Sequence, residues 1–116
     1  MIRIVVLLLL TGVGACGRTA IPDGSMVGCY TSGHEVNVFK PIGKDSVFWV
    51  TGTQSVLRRL RSVHDSLTSK PYEQVWARVL ARRSNQEPDG FAANYNGLLE
   101  IQQVVEIRRA AAGECS

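Results

Sequence analysis

From Leu99 to Ile107 the chain alternates: Leu99, Ile101, Gln103, Val105 and Ile107 interleave with Glu100, Gln102, Glu106 and Arg108. Successive side chains of a strand point to opposite faces, so this period predicts a β-strand with one face in a core and one in water. A strand cannot stand alone, because its backbone donors and acceptors need neighbours. The chain must therefore supply others. Val36 and Val38 alternate with Glu35 and Asn37, and Val47-Phe48-Trp49-Val50 is β-branched and aromatic. With Gly43-Lys44-Asp45 as punctuation, segments 35–40 and 46–51 read as a hairpin.

From Gln54 to Leu67 the period changes to that of a helix. Val56, Leu57, Leu60, Val63, His64 and Leu67 form one stripe, Thr53 or Ser55 supplies the N-cap, and Pro71 marks the stop. Arg58, Arg59 and Arg61 fall mostly off the stripe and read as a solvated face. Residues 72–82 fit two patterns. Tyr72, Val75, Trp76, Val79 and Leu80 suit a helix, which periodicity slightly favours, whereas Val75, Ala77, Val79 and Ala81 suit one face of a strand. Residues 84–97 hold Asp89-Gly90 and Asn96-Gly97, both favourable turn dipeptides, and read as a long loop centred on Phe91 and Tyr95.

The N-terminus carries Arg3, an apolar run from Ile4 to Leu10, then Thr11-Gly12-Val13-Gly14-Ala15-Cys16. One positive charge, a short apolar run and small residues lay out a secretory signal. The run is too short to cross a bilayer core of about 30 Å. Val13-Gly14-Ala15-Cys16 resembles the bacterial lipobox, although Leu is commoner than Val at its first position. The resemblance implies cleavage of residues 1–15 and acylation of the Cys16 thiol, each buried CH₂ contributing ~0.8 kcal/mol to anchoring. Gly17, rather than Asp, follows the cysteine, which resembles sorting to the outer membrane, facing the periplasm. The alternatives are an ordinary secretory signal or a short N-terminal anchor. Residues 16–32 then read as lipidated cysteine and flexible tether, and 33–116 as one small domain.

With Cys16 acylated, Cys29 and Cys115 remain as a pair in an oxidising compartment. An intramolecular bond between them is expected, contributing ~4–5 kcal/mol in the chain-entropy model. A free thiol, or an intermolecular bridge through Cys115, is the alternative.

Hairpin, helix, Val/aromatic segment ending in Arg, Asp-Gly loop, long strand and terminal cysteine resemble, in that order, the small OB-type domain of NlpE-like envelope lipoproteins. Phe39, Val47–Val50, Leu57, Leu60, Gln74–Arg82, Asp89-Gly90, Leu99–Ile107 and Cys115 carry the resemblance. It implies a mainly β, α+β fold with one helix, a small OB-like barrel in which Gln74–Arg82 is a strand. Such domains often carry a cysteine where this chain has Pro41-Ile42-Gly43, a role that Cys29 takes over. The Cys-x-x-Cys domain of those proteins has no counterpart, so copper handling does not follow.

Chemistry is sparse. The net charge of +3, one unit of which is Arg3, gives no clustered basic footprint and excludes nucleic acid as a partner. His34-Glu35 and His64-Asp65 supply too few donors for a metal site, and no nucleophile elbow or serine partner is evident. Glu73, Glu87, Asp89, Glu100 and Glu106 sit in turns or on a solvated face. Trp49 and Trp76 suit a stacking platform on such a fold, but core packing is commoner. No catalytic residue, metal or cofactor is expected. The expectation is a lipid-anchored, non-enzymatic envelope protein that binds another envelope component or senses stress, with Phe91 and Tyr95 as contacts. Its alternative is a glycan or small-ligand binder, including a lysozyme-inhibitor-like lipoprotein, retained on peptidoglycan.

Overall fold

A computed structural model describes residue 21 and residues 23–115. The expected signal segment 1–15, the lipidation site Cys16 and the first part of the expected tether lie outside the described residues. The described chain runs β1 (Ser25–Gly33), β2 (Val36–Pro41), β3 (Phe48–Gly52), α1 (Gln54–Leu67), β4 (Gln74–Arg83) and β5 (Leu98–Arg109). A short 3-10 turn at Gly90–Asn94 precedes β5. The fold is mainly β with one helix.

The strands close into a ring in the order β1-β2-β3-β5-β4, with β4 returning to β1. The β3–β5 pairing is parallel, Trp49 facing Leu98 and Gly52 facing Ile101, and the others are antiparallel. A parallel neighbour requires a crossover. Here α1, β4 and the loop after it provide one, and α1 lies across the end of the ring where β3 stops and β4 starts.

The sheet takes in more of the chain than the sequence suggests. Residues 25–32, expected in the tether, form most of β1, which pairs with β2 on one side and β4 on the other. Its Gly and Ser content hides it, and one glycine has a packing cause. A Cβ on Gly28 would lie 2.5 Å from the Phe39 ring and 2.5 Å from the Lys40 carbonyl oxygen. Phe39, paired with Tyr30 two residues further along β1, is wholly buried, so only glycine at 28 lets its ring in.

Residues 72–82 are resolved in favour of the strand, as β4. Val75, Ala77 and Val79 join the core with Tyr30, Phe39, Phe48, Val50, Leu60, Leu99, Ile101 and Val104. Full burial of each large apolar side chain contributes roughly 1.5–3 kcal/mol.

The alternation expected along β5 is interrupted twice. Arg78 faces Glu106 but Val79 faces Val104, and Leu80 faces Gln103 but Ala81 faces Ile101. Val105 and Gln102 are thus extra residues, each a β-bulge that reverses the facing of the residues beyond it. Leu99, Ile101 and Val104 enter the core with Ile107 against it, while Gln103 is exposed. The expected face of Gln103 and Val105 is corrected to Val104. Two bulges restore the phase, which is why both ends of the strand read correctly.

Helix α1 has the predicted bounds. The Thr53 hydroxyl oxygen accepts from the Val56 N–H at 3.3 Å, closing the N-terminus. Its stripe buries Leu60 and His64, and Arg58, Arg59 and Arg61 are exposed. His64 Nε2 lies 2.6 Å from the Glu73 carbonyl oxygen, which can only accept, so Nε2 carries the proton. Nδ1 has no hydrogen-bond partner among the described residues and stands 3.6 Å from an Asp65 carboxylate oxygen. The imidazole meets the Tyr30 ring edge-on at 5.6 Å. Tyr30 donates to Asn37 Oδ1 at 2.5 Å, and burial raises its hydroxyl pKa, keeping that proton in place.

Candidate functional site

Cys29 and Cys115 are disulfide-bonded, with Cα atoms 5.7 Å apart. Cys29 sits on β1 opposite both Lys40 and Trp76, so the bond reaches the neighbourhood of Pro41. It fastens the segment after β5 across the outside of the ring. Arg108 donates to both Glu114 carboxylate oxygens, at 2.8 and 3.0 Å, and its guanidinium carbon stands 4.0 Å from the Trp76 ring centroid. Glu114 also accepts from the Ala111 N–H at 2.9 Å. The guanidinium first, and then this amide, push the Glu114 carboxyl pKa down to about 2. Trp76, on the outward face of β4, is consequently only 7% exposed. This cluster is structural.

The loop 84–97 is of another kind. Its last turn is stitched to the strand before the helix: Asn96 N–H donates to the Val47 carbonyl at 2.9 Å, and Val47 N–H donates back to Asn96 Oδ1 at 2.8 Å. Trp49 N–H donates to the Gly97 carbonyl at 2.9 Å. Ala92, in the 3-10 turn, is buried beneath the loop. With its backbone held, the loop presents its rings outward. Phe91 is 53% exposed, and the half-buried Tyr95 lies 5.7 Å from the Trp49 centroid at an interplanar angle of 39°. Trp49, Thr51, Asp89, Phe91, Ala92 and Leu98 line a shallow hollow of about 290 Å³.

The structure thus brings Phe91 and Tyr95 to one surface and adds Trp49. Spacing did not single out Trp49 as their companion, because it lies more than forty residues before either ring. The Val47–Asn96 stitch that joins them is visible only in three dimensions. Trp76 is remote from this role, covered by Arg108 and set opposite Cys29 in the sheet. Among the described residues no ring contact joins the two tryptophans.

His34 and Glu35 form an exposed contact at 3.3 Å, and His64 is enclosed by Tyr30 and Glu73. Among the described residues, no three or more His, Cys, Asp or Glu side chains converge as metal ligands. No helix among them is long and apolar enough to cross a membrane. Comparison with known protein families, curated proteins and solved structures finds no match for this chain.

Proposed function

We propose that this chain is a lipid-anchored, non-enzymatic binding module of the bacterial envelope, engaging another envelope protein through Trp49, Phe91 and Tyr95. The observation that carries the reading is the backbone-stitched aromatic surface of loop 84–97. Aromatic side chains give large contact area at little conformational cost and are enriched where proteins meet. A long loop held rigid by its scaffold is a common seat of binding. The anchor rests on the lipobox-like Val13–Cys16, and the outer membrane facing the periplasm is the proposed address. The ring order, with one helix between its third and fourth strands, supports an OB-like barrel of the NlpE-like kind.

Crosslinking in cells tests the binding surface. A partner recovered with the unaltered chain and lost with Phe91→Ala or Tyr95→Ala supports it, whereas recovery unchanged in both variants refutes it. Radiolabelled palmitate incorporated by the native chain but not by Cys16→Ala supports the anchor. Incorporation by both overturns it.

One observation favours glycan as the partner instead. Asp89 shares the hollow with Trp49 and Phe91, and a ring face beside a carboxylate suits the C–H face and hydroxyls of a sugar. Retention on purified peptidoglycan that depends on Asp89 and Phe91 would select this second reading.

A further inference from the structure

The ring has two mouths, and they differ. At one, α1 lies across the opening with Leu60 and His64 buried. At the other, where β1, β3 and β5 begin and β2 and β4 end, the described residues supply no α-helix, and the 3-10 turn of the β4–β5 connection does not line the opening. A groove of about 490 Å³ descends there between Met26, Ile42, Phe48 and Leu99, with Lys44 and Arg83 at its rim. Small-ligand sites span roughly 300–1,000 Å³, are lined mainly by apolar side chains with a few placed polar groups, and favour the mouths of closed sheets. Phe48 and Leu99 belong to the core, so the floor of this groove is the core itself. Ile42 is 47% exposed beside it.

The rim charges say what enters. Arg82 is engaged by Glu100 at 3.3 Å, but neither Arg83 nor Lys44 has a carboxylate partner among the described residues. Arg83 lies with its guanidinium carbon 4.8 Å from the Phe48 centroid and donates to the Asn96 carbonyl at 3.4 Å. Those contacts hold the group at the groove lining and use only one of the five N–H donors of its fork. An apolar shaft below two uncompensated cations is complementary to an amphiphile with one chain and one negative head.

We propose that this open mouth binds the acyl chain of a single-chain carboxylate, a fatty-acid-class ligand, with the chain between Met26, Ile42 and Phe48 and the carboxylate between Lys44 and Arg83. The site is separate from the aromatic surface and does not depend on that reading.

The test uses the full chain in phosphatidylcholine nanodiscs with a dodecanoate photoprobe carrying a diazirine at the chain end, its adducts mapped by mass spectrometry. Adducts are expected at Met26, Ile42 or Phe48, and dodecanoate should compete about tenfold better than 1-dodecanol. The double variant Lys44→Gln, Arg83→Gln should erase that preference while keeping the adducts. Ile42→Glu should suppress the adducts, and Phe91→Ala should leave them unchanged. All of these substitutions are on the surface, and circular dichroism checks that each variant folds. Equal competition by acid and alcohol, adducts indifferent to Ile42→Glu, or adducts confined to other positions would each overturn the proposal.

Discussion

Glu114 has a carboxylate whose proton affinity depends on its being folded. Beside Arg108 and the Ala111 amide its pKa falls from 4.5 to about 2. A pKa depressed in the folded state means that the charged form is favoured there, so the stabilisation is fully present above the unfolded value. It is lost as pH falls from about 4.5 towards 2. Glu73 shifts in the same direction, its carboxylate accepting from the Ser69 and Lys70 amides, so acid weakens both contacts. Comparison with Glu114→Gln isolates the first. In urea unfolding between about pH 6 and pH 3, the lead of the native chain over the variant should shrink as pH falls. A constant lead over that range would show that the Arg108 pair contributes no pH dependence.

At the scale of elements, the N-cap of α1 is a single contact. Thr53→Ala removes the acceptor for the Val56 N–H and should cost about 1 kcal/mol, with Thr53→Ser restoring most of it. Gly28→Ala in β1 should cost roughly 1–3 kcal/mol, because the added methyl must displace the Phe39 ring or the Lys40 carbonyl. Thermal or urea unfolding reads both. A Gly28→Ala chain as stable as the native one would mean that β1 and β2 separate at little cost.

The same elements show what the sequence could disclose. Helix α1 was legible because one face meets the core and the other meets water, so Leu60 and Arg59 report different surroundings. Strand β4 was ambiguous because its outer face is not in water: Trp76 is roofed by Arg108, and apolar residues on both faces blur a period of two. Strand β1 was hidden by Gly28, a residue chosen for Phe39 rather than for strand propensity. In β5 the bulges at Gln102 and Val105 shift the facing in mid-strand. Of the site, Phe91 and Tyr95 were legible as rings in a long loop. Trp49 was not, because its place depends on the Asn96 stitch.

For the molecule as a whole, the disulfide has the longest reach. Cys29 and Cys115 are 86 residues apart, and the loop they close contains the helix and nearly every strand residue. The bond therefore restricts almost the entire unfolded chain. Replacing both cysteines with Ser should lower stability by up to ~4–5 kcal/mol and reduce the urea midpoint. Unchanged unfolding in that variant would mean that strand pairing alone holds the tail and Trp76 in place.

Closure of the ring through the parallel β3–β5 contact also decides the style of recognition open to this molecule. Every described strand has a neighbour on each side, so no full-length edge offers its amides to an incoming peptide. A partner adding itself as another strand would find only part of an edge to read. Recognition through side chains is favoured instead, with affinity lost by trimming a single ring rather than worn down residue by residue.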